Sequence, residues 1–294
     1  MMQKDLCKKD IKSAVLILSC PDREGIVAKV SSFVYKRMGN IIDFDQYVDQ
    51  QEKILFMRLE WSLEKFKVSN EKLIKEFKVL ADKLKASWEI KFIGSYRKKV
   101  AIMVSGHLHC LMDLLWRQKM GELNCELSLI ISNHLKAKDL ADNFKIPFYY
   151  TPFNKNKMEV EKEQIRILKF NKIDLVVLAR YMQILSDSMI EKFKNRIINI
   201  HHSFLPAFAG SDPYRQALER VFKVIGATSH YATEDLDEGP IIHQDVIRIS
   251  HKDSLSELKR KGRDLERIVL AEAVRLHLDN RILVYGKKTI IFGS

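Results

Sequence analysis

The first ninety or so residues alternate between apolar runs typical of strands and apolar stripes typical of helices. Strand candidates lie at 14–19, 42–48, 54–57 and 88–93. Two helix candidates, one opening at Gly25 and one near Ser69, repeat apolar positions at the helical period of about 3.6 residues. The pattern therefore predicts a β-α-β-β-α-β unit in which one helix follows the first strand and the other follows a hairpin.

A different pattern follows the short polar segment at 94–99. Near-continuous apolar runs recur at 100–104, 127–131, 173–178 and 197–200, separated by helical stretches. Such runs predict a Rossmann-like, mostly parallel sheet covered by helices on both faces. Residues 241–249 predict an antiparallel edge strand, and a long helix is expected from about 254 to 277. We therefore expect an α/β chain with two domains, residues 1–94 and 99–294.

Composition narrows the class of protein. The 294 residues are 46% hydrophobic, and no apolar stretch is long enough to span a membrane. The net charge of +12 comes from lysines spread along helices, so we expect attraction of an anionic small molecule and no nucleic-acid partner. The first dozen residues lack the apolar core of a secretion signal, and four scattered cysteines predict neither disulfides nor a metal site. A cytoplasmic location follows.

Polar residues that could handle a carbonyl group stand at the end of the run at 197–200. Asn199 and His201 lie on the same side of this predicted strand, because strand side chains alternate. Asp237 lies on a later loop and would orient the imidazole and favour its protonated form. An amide donor, a proton carrier and a carboxylate together indicate catalysis at a carbonyl carbon. Asp235 is interpreted as a turn residue.

Further side chains are expected around the same place. Residues 179–186 follow a predicted strand, so Met182, Ile184 and Leu185 should line a flat apolar pocket for the substrate. His230 should reach the rim from another strand, and His202 should contact substrate or water. His107 and His109 are interpreted as the start of a helix.

Three motifs of this region resemble the formyl transferase family, which handles 10-formyltetrahydrofolate. They are Asn-x-His at 199–201, Ser-x-Leu-Pro at 203–206 and Asp-Leu-Asp-x-Gly-Pro at 235–240. The resemblance covers roughly residues 99–294. It implies that Asn199, His201 and Asp237 form the catalytic trio, that a folate is the substrate and that no prosthetic group is bound.

Two departures from the family pattern suggest which reaction is catalysed. Residues 105–110 lack the glycine-rich loop with which glycinamide ribonucleotide transformylases hold a phosphate, and His202 stands where those enzymes usually have proline. The chain thus resembles the branch that gives the formyl group to water, releasing formate for purine synthesis and tetrahydrofolate for the one-carbon pool. Transfer to an amine acceptor is the alternative, and a sensor or scaffold with an inactive catalytic domain is a third possibility.

The mechanism implied by the resemblance is hydrolysis through a tetrahedral intermediate. Water would attack the formyl carbon while its proton passes towards Asp237. Asn199 and His201 would stabilise the oxyanion.

The N-terminal unit, a ferredoxin-like fold with the turn at 20–26, resembles an ACT domain. This resemblance implies that Asp22, Glu24 and Gly25 bind an amino-acid effector, with methionine and glycine as candidates. The same residues also fit ordinary turn and cap chemistry. Because ACT-like sheets commonly pair edge to edge, a homodimer or homotetramer is expected.

Overall fold

The structure, a computed structural model, describes residues 13–66, 68–94, 96–153, 156–206 and 213–293. The expectation for the N-terminal segment 1–12 therefore lies outside the described residues. The others divide into two compact units, which are described in turn.

The first unit is one antiparallel sheet of order β2-β3-β1-β4 with two helices, which confirms the predicted fold. Its elements are β1 (Ser13–Pro21), α1 (Ile26–Tyr35), β2 (Asn40–Asp49), β3 (Ile54–Ser62), α2 (Asn70–Leu84) and β4 (Ser87–Ile93). Gly25, the N-cap residue before α1, has a φ of +79°, a backbone conformation that glycine adopts without strain. The hydroxyl of Ser69 accepts a hydrogen bond from the Lys72 amide and so caps α2.

The core of this unit lies between one face of the sheet and the two helices. Alternate residues of β1 (Ala14, Leu16 and Leu18) are fully buried against Phe33 of α1 and Phe77 of α2. This alternation is the period-two pattern that predicted the strand.

The second unit contains a seven-stranded sheet of order β11-β10-β9-β8-β5-β6-β7. Its strands are β5 (Lys98–Val104), β6 (Cys125–Ser132), β7 (Phe148–Tyr150), β8 (Leu175–Leu178), β9 (Ile197–His201), β10 (Val224–Tyr231) and β11 (Ile241–Arg248). Its helices are α3 (His109–Lys119), α4 (Lys138–Phe144), α5 (Lys157–Phe170), α6 (Asp187–Lys192), α7 (Pro213–Glu219) and α8 (Leu255–Leu278). A two-stranded hairpin follows, formed by β12 (Ile282–Tyr285) and β13 (Lys288–Ile291).

Strands β5 to β9 run parallel, whereas β10 is antiparallel to both β9 and β11. The predicted α/β architecture and the edge strand β11 are therefore confirmed. Helices α5 and α6 pack on one face of the sheet. Helix α8 packs against α3 and against the strands β9 to β11. The three-residue strand β7 was not predicted, because so short a segment carries no readable periodicity.

The unit boundaries differ from the predicted domains at the C-terminal end. The second unit holds Arg97–Asp279 and Val284–Thr289, whereas Asn280–Leu283 and the described residues from Ile290 onward group with the first unit. Within the first unit, Arg58 donates from Nε to the carbonyl oxygen of Asn280 at 3.0 Å. A contact between residues 222 positions apart leaves no local sequence pattern. The grouping of Asn280–Leu283 with the first unit could therefore not be predicted from the sequence.

No helix among the described residues is long and apolar enough to cross a bilayer.

The aromatic cluster of the first unit yields a stability prediction. Phe77 is 1% exposed, and its ring lies 5.1 Å from Phe33 and 4.9 Å from Trp88, both edge to face. Phe77→Ala should lower the free energy of unfolding by about 3 to 5 kcal/mol, because it removes apolar contacts and leaves a cavity. Urea denaturation measures this, with Val79→Ala on the exposed face of the same helix as control, expected within about 0.5 kcal/mol of the parent. Equal effects of the two changes would contradict the assigned packing.

Candidate active site

Strand β9 places two polar side chains at the carboxyl end of the parallel sheet. Ile198 and Ile200 are buried on one side of the strand, and Asn199 and His201 lie half-buried on the other. In open α/β sheets, ligands bind beyond this end of the strands. The pair predicted from alternation therefore stands where a ligand can reach it.

The antiparallel neighbour β10 brings His230 to Asn199. The two residues are directly opposite in the register, and Asn199 Nδ2 lies 3.2 Å from His230 Nε2. His230 Nδ1 lies 3.0 Å from the carbonyl oxygen of Tyr231, an acceptor, so Nδ1 carries the proton. In the neutral ring Nε2 is then the acceptor, and Asn199 donates one amide hydrogen to it. His230 thus orients the amide and leaves its second N–H for a ligand.

Asp237 approaches His201 from the loop after β10. Its Oδ2 accepts from His201 Nδ1 at 3.1 Å, and its Oδ1 lies 3.6 Å from His230 Nε2. The hydrogen bond from His201 holds the pKa of Asp237 well below its usual range, even though burial acts in the opposite direction. The carboxylate is therefore anionic at physiological pH and fixes the His201 ring through Nδ1.

The loop carrying Asp237 depends on a glycine. A Cβ on Gly239 would lie 1.7 Å from the carbonyl oxygen of Tyr231, a distance that no side chain can adopt. The backbone is held there by a hydrogen bond of 3.0 Å from the Tyr231 amide to the Pro240 carbonyl oxygen. The close approach of the backbone at Gly239 to the backbone at Tyr231 thus fixes the position of Asp237 beside His201.

The segment 179–186 forms the other wall of the site. Two hydrogen bonds hold it: the Met182 amide donates to Ser105 Oγ at 3.1 Å, and the Ser186 amide donates to the buried carboxylate of Glu161 at 3.0 Å. The side chains of Met182 and Ile184 remain more than half exposed at the rim. An apolar wall anchored by polar groups suits a flat organic ligand.

One cavity of about 240 Å³ collects the predicted catalytic and substrate-binding residues. Its lining includes all eight of them, namely Met182, Ile184, Leu185, Asn199, His201, His202, His230 and Asp237. His201 Nε2 is buried and has no hydrogen-bond partner among the described residues. Since Nδ1 is bound to Asp237, Nε2 is the ring nitrogen left for a ligand, next to the free N–H of Asn199; it accepts in the neutral ring and donates in the protonated ring.

A buried charge network next to the cavity was not predicted. Glu266 of α8 is 1% exposed; it accepts from His109 Nε2 and from the Tyr214 hydroxyl, both at 2.8 Å, and lies 3.5 Å from Arg180 Nε. Burial raises the pKa of Glu266, but the His109 hydrogen bond and the charge of Arg180 outweigh it, so the carboxylate is anionic. The available signal was a carboxylate on the apolar stripe of α8, between Leu265 and Val269.

The remaining predicted residues have mixed outcomes. His109 begins α3, as expected, but it also binds Glu266. Asp22, Glu24 and Gly25 belong to the first unit and form the exposed turn before α1.

Metal-ligating atoms meet at one place among the described residues: those of His109, Cys110 and Glu266 lie within 4.8 Å of one another. Sequence spacing did not reveal this group, because Glu266 comes from a distant helix. Burial raises the pKa of the Cys110 thiol, and Arg180 already faces the carboxylate of Glu266. We therefore assign this group to the buried charge network.

Comparison with known proteins identifies what the chain is similar to. The sequence model of the formyl transferase family matches residues 98–274. The formyltetrahydrofolate deformylase of Synechocystis sp. is 52% identical over 96% of this chain and 99% of that protein. The deformylase of Bacillus subtilis is 47% identical over 95% of this chain and 93% of that protein.

A solved structure gives the same result at the level of the fold. The crystal structure of a formyltetrahydrofolate deformylase from Pseudomonas syringae pv. tomato superposes with a TM-score of 0.93 at 41% identity. The match covers 98% of this chain and 96% of that one, so both units are included.

The close approach at Gly239 generates a prediction for the site. Gly239→Ala should move the loop that carries Asp237, because the new methyl group cannot coexist with the Tyr231 carbonyl oxygen. We expect turnover to fall by on the order of a hundredfold, since misplacement of a catalytic group by about 1 Å has that effect. Gly94→Ala is the matched control, because nothing lies within 4 Å of its added Cβ. Full activity of Gly239→Ala would show that the position of this loop does not matter.

Proposed function

Since the chain belongs to the formyl transferase family, and within it to the formyltetrahydrofolate deformylases, we propose that Asn199, His201 and Asp237 perform its hydrolysis of 10-formyltetrahydrofolate. The enzyme releases formate and tetrahydrofolate. The observation that supports the assignment of roles is the convergence of the three side chains on one cavity. The match to deformylases over nearly the whole chain does not favour the alternative, transfer to an amine acceptor.

Two N–H groups suit the oxygen of the formyl group. The second amide hydrogen of Asn199 is free because the first is bound to His230, and His201 Nε2, which carries the second hydrogen of the protonated ring, is the unpaired nitrogen beside it. As water adds, the formyl oxygen takes up negative charge, and donors already in place stabilise it without reorganisation. Asp237 keeps His201 oriented with Nε2 towards the cavity.

The folate is proposed to lie along the apolar wall of the cavity. Met182, Ile184 and Leu185 provide apolar surface for a flat ring, and the anchored backbone of this segment supplies a rigid edge. Water is the second reactant, so the proposed reaction calls for no prosthetic group.

The first unit is proposed to be an ACT domain that binds an amino-acid effector. Its antiparallel four-stranded sheet with two helices fits this assignment, and the turn before α1 presents the carboxylates of Asp22 and Glu24 to solvent. Two carboxylates can pair with the ammonium group of an amino acid, and the N-terminus of α1 attracts its carboxylate. Methionine and glycine are the candidates.

A homodimer or homotetramer formed through this sheet is also proposed. Strand β2 is an edge strand, and it exposes half of the side chains of Ile42 and Tyr47. An exposed edge with apolar side chains is a surface on which a second copy can extend the sheet.

A place in the cytoplasm and in purine synthesis is proposed as well. Cys20, Cys110 and Cys125 are buried free thiols, as expected in a reducing compartment. Formate released there would supply formate-dependent purine synthesis, and tetrahydrofolate would return to the one-carbon pool.

One assay tests both the reaction and the roles. Purified protein with 10-formyltetrahydrofolate and no added acceptor should release formate and tetrahydrofolate. Asn199→Ala should lower kcat by about a hundred- to a thousandfold through loss of an oxyanion donor. Asp237→Asn should lower it by at least about a hundredfold, because His201 loses its anionic partner.

Asp235→Asn is the matched control, since this aspartate is exposed on the same loop and should leave kcat near that of the parent. Turnover that requires an added amine would support the transferase alternative. Near-normal formate release by Asn199→Ala or Asp237→Asn would refute the assigned roles.

The effector proposal is tested by calorimetric titration of the full-length protein with methionine and with glycine. Asp22→Asn should weaken binding by on the order of tenfold, as expected when a charge-assisted hydrogen bond is lost. Glu64→Gln, at another exposed carboxylate of the same unit, should leave affinity unchanged. Unchanged affinity of Asp22→Asn would place the effector elsewhere, and no heat with either amino acid would remove both candidates.

A further inference from the structure

His202 is a cavity residue that the proposed roles leave unused. It follows His201 directly, and the two rings stack with centroids 5.0 Å apart and planes 30° apart. Both rings line the same cavity as Asn199 and Asp237. In the part of the chain that the structure describes, neither ring nitrogen of His202 has a hydrogen-bond partner, so a lone pair is available to a small molecule in the cavity.

The family resemblance implies that Asp237 takes the proton of the attacking water. The contacts of Asp237 make it poorly suited to that role. Its two oxygens face His201 and His230, at 3.1 Å and 3.6 Å. A proton taken up by Oδ2 would displace the hydrogen bond that orients the His201 ring. Hydrolysis, unlike transfer to an amine, begins from neutral water and therefore needs a proton acceptor nearby.

The surroundings of His202 keep its ring neutral. Burial and the charge of Arg180 lower the pKa of His202 to about 4, and His201 acts in the same direction. The carboxylates of Glu266 and Asp237 oppose this shift, while Tyr214 contributes a ring 6.1 Å away. Cationic Arg180 is itself held beside Glu266 at 3.5 Å. The buried network thus supplies a fixed positive charge that disfavours protonation of His202 before water arrives.

We propose that His202 is a further catalytic residue, the base that accepts a proton from the water attacking the formyl carbon. This inference rests on the proposed hydrolysis and replaces Asp237 in that one step. The water oxygen bonds to the formyl carbon, the carbonyl electron pair moves to the oxygen held by Asn199 and His201, and one water proton moves to a ring nitrogen of His202. The carbon–nitrogen bond then breaks, and N10 takes the electron pair and the proton from His202. Formic acid leaves and ionises to formate.

The test compares His202→Ala with the parent in steady-state formate release. Loss of a general base should lower kcat by about a hundred- to ten-thousandfold, with KM changed less than about threefold because the apolar wall and Asn199 remain. Imidazole added to His202→Ala should restore turnover in proportion to its concentration. The restored rate should follow the unprotonated fraction of imidazole as pH is varied, which a purely structural role would not produce.

His107→Ala is the matched control. Burial and the charge of Arg180 also lower the pKa of His107, but this histidine does not line the cavity. The His107→Ala variant should keep the kcat of the parent, and added imidazole should not raise its turnover.

Three results would overturn the inference. They are parental kcat in His202→Ala, a loss of kcat that imidazole does not restore at any pH, and an equal loss in His107→Ala. In each case, continued formate release by the parent without an acceptor would leave the proposed function standing. An inactive parent would instead remove the hydrolysis, and the role of His202 with it.

Discussion

The antiparallel pairing of β9 with β10 is the constraint on which the site depends. It places His230 opposite Asn199, and the loop that continues β10 returns Asp237 to His201. Four polar residues from two adjacent strands and one loop are thereby fixed relative to one another by backbone hydrogen bonds. A displacement of the register by one residue would turn these side chains to the opposite face of the sheet.

Some polar groups of the site orient neighbouring side chains, and others are left to contact the ligand. His230 and Asp237 each use their polar atoms to orient a neighbour: His230 fixes the amide of Asn199, and Asp237 fixes the ring of His201. The atoms that remain are the second N–H of Asn199 and Nε2 of His201, which is an N–H in the protonated ring; both suit an oxygen that gains negative charge. Rigid placement matters here, because donors that need not reorganise stabilise a transition state more than a ground state.

The buried pair of Arg180 and Glu266 connects the cavity to helices α3, α7 and α8. A charged pair without water is costly, and here it is offset by hydrogen bonds from His109 and Tyr214 to the carboxylate. The pair brings a permanent cation close to His202 and so affects the protonation of a cavity residue that it does not bind. The buried network therefore influences the cavity through the electrostatic field of Arg180 as well as through direct contacts.

The sequence by itself determined the two sheets, most of their strands and the catalytic candidates, because alternation and helical spacing report local burial. Asn199 and His201 could be paired from period two alone, and the motif around Asp237 pointed to the same reaction. Only the tertiary structure decided which groups these residues meet. Glu266 reaches His109 across 157 residues, and Asn280 groups with the first unit through Arg58. Contacts of this kind depend on the packing of distant elements, which leaves no periodic signal along the chain.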